Sequence, residues 1–310
     1  MADHPLHGSP DVFEVCVPVA TVWTRPDAPR DIDRGAVVDQ PDMAGWTAGM
    51  DAGVRKGLDG RTLTQLLMGE GVHVIEEQGD WVRVLALLQP SSKDPGGYPG
   101  WVRRAHLGTP VARTVGASAW VVTPTSVLQI DDGTKAELSF GTGLWVDDLT
   151  EGSVRVLLPG NRSATMPLPS VRVSHKEQRP AYGSDDILDC ARQFLGMRYL
   201  WGGTSAWGLD CSGLVHLTYR AHGVVVPRDA FDQAEDLEPV PLDEVEPGDL
   251  YFFARPNERI YHVGFATRRV AEDGVRWMLH APESGEFIED APMAPPRVET
   301  LVSAGRVRKP

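Results

Sequence analysis

The sequence predicts a multidomain protein, two small β-barrels followed by an α+β domain, on three observations. The chain has 310 residues, about twice the commonest domain length. Its 32 glycines and 25 prolines punctuate short alternating apolar runs up to about residue 173, the texture of small barrels. Beyond residue 184, apolar positions recur first at helical spacing and then as strand-like runs. With 42% hydrophobic and 24% charged residues, the chain has the balance of a globular protein with real cores.

Charge and cysteine usage exclude several functions. Thirty basic against 43 acidic residues give a net charge of −13, and no basic cluster stands against that field, so nucleic acid is not an expected partner. Cys16, Cys190 and Cys211 are odd in number and contain no CxxC pair, which argues against a disulfide framework and a zinc ribbon. The histidines include no HExxH, and no metal or cofactor is predicted. The start, MADHPLHGSPDVF, has no basic n-region and no apolar h-region, and no apolar run reaches membrane length. The expectation is a cytoplasmic monomer without a membrane partner.

The elements follow in order. Residues 1–11 read as a polar tail. Residues 12–108 form the first barrel, with VFEVCVPVATVW, VHVIEE and WVRVLALL as strands. An insertion at 41–71 contains TLTQLLMGEG, where the spacing of Leu63, Leu66 and Leu67 predicts a short helix. Residues 109–175 form the second barrel through AWVVTP, SVLQI, GLWVDDL and SVRVLLP. The tetrapeptide Val-Arg-Val-Leu occurs at 82–85 and again at 154–157, a hint of two copies of one unit. Residues 176–184 are a polar linker, and 185–310 are the α+β domain. Ser184 is read as the N-cap of a helix whose apolar face is Ile187, Ala191, Phe194 and Leu195. A second helix follows YLWGGTSAWGL, with Leu214, Leu217, Thr218 and Ala221 on one face and Gly223 closing it. LYFFA, IYHVGFA and VRWMLHA are the strands after it.

Cys211 is the cysteine that points to chemistry. Asp210 caps the helix and sets Cys211 in its first turn, where free N–H groups and the positive end of the helix dipole favour a thiolate. Papain-like enzymes place their cysteine so and bring the histidine from a strand. Cys16, in a strand-like run, and Cys190, beside the apolar face of the first helix, read as structural. His262 and His280 flank the turn RRVAEDG, and a symmetric hairpin pairing them is centred on residue 271. The imidazoles then share one face, His262 as base and His280 as the group fixing its tautomer.

YLWGGTSAWGLDCSGLVHLTY, VPRDAFDQA, EPGDLYFF, YHVGFA and LHAP, in that order, resemble the catalytic domain of the NlpC/P60 cysteine peptidases over about residues 185–310. The resemblance implies a papain-like α+β fold and cleavage of the bond from γ-D-glutamyl to the diamino acid of cell-wall peptides. It implies Cys211 as nucleophile, His262 as base, His280 as third residue, and the Tyr199 hydroxyl as oxyanion donor beside the Cys211 N–H. Upstream, TQLLMGEGV and GYPGWV are similar to the bacterial SH3 modules of YkfC-like γ-D-glutamyl-L-diamino-acid endopeptidases. In that group the first module closes one end of the site and reads the free amine of L-Ala. By that resemblance Glu70 and Tyr98 are the amine contacts, helped by Asp210 and Ser212, with Trp201 and Asp229 also lining the substrate. Where many relatives carry Ser or Thr after the Pro-Arg pair, this chain has Asp229 and Ala230, so no side-chain hydrogen bond comes from 230. The implied substrate is a murein tripeptide or tetrapeptide, with lysine and diaminopimelate both open. A secreted hydrolase of intact peptidoglycan and a non-catalytic SH3-type peptide binder are the alternatives.

Overall fold

The computed structural model describes residues 12–112, 116–175, 182–270, 274–283 and 286–308. The N-terminal tail, residues 176–181 of the linker and residues 271–273 of the histidine hairpin turn lie outside the described residues.

Two seven-stranded antiparallel sheets fill the chain up to His175. The first runs, edge to edge, Thr62–Leu67, Val19–Trp23, Tyr98–Arg103, Trp81–Ala86, Gly71–Gln78, Val12–Val15 and Leu107–Gly108. The second has the same order with Lys135–Ser139, Thr125–Ile130, Arg162–Pro167, Ser153–Leu158, Gly143–Thr150, Ala117–Val121 and Val171–His175. The two Val-Arg-Val-Leu tetrapeptides fall on corresponding strands. Each pairs with a long strand carrying an irregularity at the matching place, between Val74 and Glu76 in one and between Val146 and Asp148 in the other. A shared bulge bends matching strands alike, so order and irregularity together support two copies of one unit. Each sheet has a core of its own, around Val22, Leu66, Val84 and Val102 in the first and Leu128, Leu138, Val154 and Met166 in the second.

Between Trp23 and Thr62 the first sheet is interrupted by short helices, Arg34–Val37, Met43–Ala48 and Ala52–Lys56. Aspartates start the last two: Asp42 accepts from the Gly45 N–H at 2.8 Å and Asp51 from the Val54 N–H at 2.8 Å. The helix expected in TLTQLLMGEG is instead the strand Thr62–Leu67. Leu66 points into the first sheet's core while Leu67 points into a different one. A strand buried on both faces reads as a continuous apolar run, which mimics helical spacing over so few residues.

The C-terminal part has a six-stranded antiparallel sheet in the order Glu238–Val240, Leu301–Arg306, Leu250–Ala254, Ile260–Ala266, Trp277–His280, Glu289–Pro292. The helices Cys211–Ala221 and Ala230–Asp236 pack on its Ile260–Ala266 strand. The helix Ser184–Arg192 is capped one residue earlier than expected, by Gly183, whose N–H donates to Asp186 at 2.7 Å. Its interior is not closed off from the N-terminal part. Trp23, Met43, Trp46, Leu58 and Leu67 are buried in one cluster with Ile187, Leu214, Leu217, Phe252 and Phe265. Among the described residues no helix is long and apolar enough to cross a membrane.

Candidate active site

Asp210, in extended conformation, ends the preceding chain and starts the helix, its Oδ1 accepting from the Gly213 N–H at 2.6 Å. The same carboxylate is gripped by fully buried Arg228, Nη1 to Oδ1 at 3.0 Å and Nη2 to Oδ2 at 2.6 Å. Such a bidentate fork fixes both planes. Arg228 also donates to Ser212 Oγ at 2.9 Å and, through Nε, to Thr64 Oγ1 at 2.8 Å. Thr64 donates on to Gln89 Oε1 at 2.7 Å, and Gln65 Oε1 accepts from the Thr204 N–H and Ser205 Oγ. The strand Thr62–Leu67 of the first sheet is thereby tied to the turn that carries Cys211.

Cys211 follows as the first helical residue and lines a cavity of about 350 Å³. The backbone N–H groups of Val263 and Ser212 act on its thiol and favour its charged form, and Val263 is the residue next to His262. The expected thiolate is not the resting state. Burial, and then the charge of Asp210, push the thiol up to about 12 against the pull of those N–H groups and Arg228. The sulfur rests protonated.

His262 and His280 are brought together, but not as direct partners. Phe265 lies opposite Leu279 and Ala266 opposite Met278, so the hairpin is centred on residue 272 rather than 271. A shift of two in register keeps both residues on one face and makes them diagonal neighbours. His262 Nε2 lies 2.8 Å from His280 Nδ1, with the rings edge to face at 81°. A Cβ on Gly264 would fall 2.8 Å from the His280 Cβ, so a bare backbone there makes room for the second ring. Directly opposite His280 in the next strand is Glu289, whose Oε1 is 3.4 Å from His280 Nε2. A carboxylate there favours the proton on His280 Nε2. His280 Nδ1 then accepts from His262 Nε2–H, and His262 Nδ1 is left as the basic nitrogen. Burial, then Arg297, hold both imidazoles below their usual range, His280 at about 3, so the pair rests neutral.

The cavity beside Cys211 is lined by Tyr98, Lys93, Asp229, Asp210, Ser212, Tyr199 and Trp201. A second cavity of about 640 Å³, lined by His262, His280, Arg255 and Arg297, shares Asp59, Tyr199, Trp201 and Tyr261 with it. The loop between them is held from the N-terminal part: Arg55 Nη1 donates to the Tyr199 carbonyl at 3.0 Å and Thr62 Oγ1 to the Trp201 carbonyl at 2.9 Å. Gly202 follows at φ +74, where a Cβ would meet the Leu63 carbonyl carbon at 3.1 Å, so only glycine suits both the turn and the approach. Burial and the neighbouring Cys211 keep the Tyr199 phenol far from ionising, so it stays a donor. At the far end Tyr98 OH donates to Asp229 at 3.0 Å, and the Lys93 ammonium sits 2.7 Å from Asp229 Oδ2, against Tyr98 OH.

Glu70 is the exception among the expected site residues. It is buried in an ion pair with Arg220, Nη1 to Oε1 at 2.6 Å, and Arg220 lies nine residues beyond Cys211 in the same helix, about 13 Å along the axis. Glu70 lines neither cavity. Sequence reading also passed over Arg228, Thr64, Lys93 and Glu289. Arg228 carried a signal, lying inside VPRDAFDQA; the other three had none, because each acts through a residue distant in sequence.

A buried cysteine at a helix N-terminus, with two bonded histidines on the sheet beneath it, defines a papain-like cysteine peptidase. The NlpC/P60 family model matches residues 196–305 and the bacterial SH3 domain model residues 54–108. The chain is 37% identical over 276 residues to the gamma-D-glutamyl-L-lysine dipeptidyl-peptidase of Bacillus subtilis, covering 87% of this chain and 90% of that protein. It is 32% identical over 303 residues to the Bacillus cereus protein of the same name, covering 94% and 89%. The crystal structure of an NlpC/P60 family protein from Bacillus cereus superimposes with a TM-score of 0.90 at 31% identity, over 95% of this chain and 99% of that one. The chain belongs to the NlpC/P60 family and is a cysteine peptidase.

Proposed function

We propose that this peptidase hydrolyses the bond from γ-D-glutamate to an L-diamino acid in cell-wall peptides that begin with an unblocked L-Ala. The observation that carries this reading is a group lining the Cys211 cavity, the Tyr98 hydroxyl on the Asp229 carboxylate, already holding an ammonium. A half-buried carboxylate beside a phenol suits a cation and penalises an acylated amine, which leaves the charge uncompensated. Tyr98 keeps the part the resemblance implies for it, and Asp229 beside it takes the part implied for Glu70. The names of the two Bacillus relatives favour lysine as the diamino acid, and diaminopimelate differs from it by a carboxylate that Arg255 or Arg297 in the second cavity can pair. Small unblocked tripeptides and tetrapeptides are products of wall turnover, so the proposed reaction belongs to cytoplasmic murein recycling.

The chemistry is acyl transfer. As Cys211 Sγ attacks the γ-carbonyl carbon of D-Glu, its proton passes to His262 Nδ1, which His280 and Glu289 hold ready as base. The oxyanion accepts from the Cys211 N–H and the Tyr199 hydroxyl. Collapse to the thioester breaks the C–N bond, and the diamino acid leaves with the proton from His262. Water, deprotonated by His262, then cleaves the thioester and restores the thiol. Mass spectrometry of L-Ala-γ-D-Glu-L-Lys and its N-acetyl form tests the reading: cleavage of the free peptide alone is expected, and equal cleavage of both would overturn it.

A further inference from the structure

The Lys93 ammonium is bound as a substrate ammonium would have to be. It has a carboxylate oxygen of Asp229 at 2.7 Å, the Tyr98 hydroxyl as a second acceptor, and the Tyr98 ring face 4.1 Å from Nζ. Charge, hydrogen bond and cation–π contact together form a complete ammonium seat. The loop carrying Lys93 is docked on the C-terminal part independently of this contact. The Ser92 N–H donates to Asp232 at 3.0 Å, and the Pro90 carbonyl accepts from the Arg228 N–H at 3.0 Å. The Lys93 backbone is therefore fixed while its four-carbon side chain, 37% exposed, has water on one side into which to withdraw.

We propose that Lys93 is a built-in competitor for the amine seat, holding Tyr98 and Asp229 until the α-ammonium of a substrate replaces it. The inference rests on the amine reading proposed above. Two ammonium groups against one carboxylate and one ring face would repel each other with a single negative charge between them, so substrate binding requires Lys93 to leave. An acylated N-terminus brings no charge with which to displace it, and Lys93 then remains as a plug. The L-Ala-γ-D-Glu product carries the same amine as the substrate, so the returning lysine also assists its release. Only the fraction of enzyme with the seat vacant binds, and the apparent affinities for substrate and product are lowered by that same fraction.

Steady-state kinetics of the full chain with L-Ala-γ-D-Glu-L-Lys, and inhibition by L-Ala-γ-D-Glu, test the proposal in Lys93→Met. Lys93→Gln, which keeps the loop polar, repeats the measurement. The expected result is a fall of about fivefold in both KM and the product inhibition constant, the scale of one partly exposed ion pair, with kcat moving much less. If either constant stays level or rises, Lys93 is no competitor and the proposal falls. Wild-type enzyme assayed beside them on the N-acetyl peptide separates the two readings. Rejection of that peptide keeps the amine reading whatever the lysine variants do, whereas equal cleavage removes both.

Discussion

A cysteine at the start of a helix is expected to be acidic, yet Cys211 is held up to about 12 by burial and by its own capping aspartate. The thiol is then activated by His262 during attack and not beforehand. Alkylation of Cys211 at neutral pH is therefore expected to be no faster than that of a free cysteine, rising only in alkali; a fast neutral reaction, followed by peptide mapping, would contradict this. Cys211→Ala should abolish cleavage, and Tyr199→Phe should lower kcat about 100-fold, the worth of one oxyanion donor. Glu70→Ala separates the expectation from the structure. It strands buried Arg220 and should cost about 3–5 kcal/mol in denaturant unfolding, while leaving the preference for free over acetylated peptide as it was. The acidic residue of a Gly-Glu pair reads alike whether it will meet a ligand or, as here, a partner 150 positions away, and nothing local in the sequence separates the two.

At the scale of elements, the strand Thr62–Leu67 joins the two parts of the molecule. One face fills the first sheet's core, and Thr64 reaches Arg228 behind the nucleophile. Thr64→Val keeps the shape and takes their Thr64 partner from Arg228 Nε and Gln89 Oε1, at a cost of about 1–3 kcal/mol. If the network also positions Asp210, kcat falls with stability while KM for the free peptide changes less; stopped-flow or steady-state assays at a temperature where the variant is folded would show it. Legibility was greatest where one local rule decided the outcome. The Asp210 cap, the helix after it and the strands carrying His262 and His280 could all be read, because capping and alternation are contacts between near neighbours. Misreading came where two cores compete for one segment, as at Leu66 and Leu67, and where register depends on the turn, as in the shift from 271 to 272.

Across the whole molecule, neutral buried histidines set the acid limit. His106, His216, His222, His262 and His280 are all lowered, chiefly by burial. A group with a depressed folded pKa stabilises the fold in its neutral form, and that stability is lost as pH falls below about 6.5, where the unfolded chain takes up protons first. Glu14, raised to about 7 by burial, opposes this, gaining stability over part of the same fall. With five groups against one, melting temperature should be lower at pH 5 than at pH 7. The acid limb of kcat/KM should lie below 6.5, since His262 stays a base there.

The matching strand order of the two N-terminal sheets has a consequence for how the chain could have changed over time. If one ancestral unit was copied, the copies have since come under unequal constraint. The first supplies Arg55, Thr62, Thr64 and Tyr98 to the cleft or the loop that frames it, so most alterations to it are felt by the reaction. The second lines neither cavity; it meets the turn before Cys211 where Ser139 Oγ accepts from the Ala206 N–H, and the nucleophile helix through Gly141 against Leu217 and Arg172 on the Ala221 carbonyl, and is freer to drift in sequence as long as those footholds last. Divergence between orthologues should accordingly be steeper over residues 117–175 than over residues 54–108.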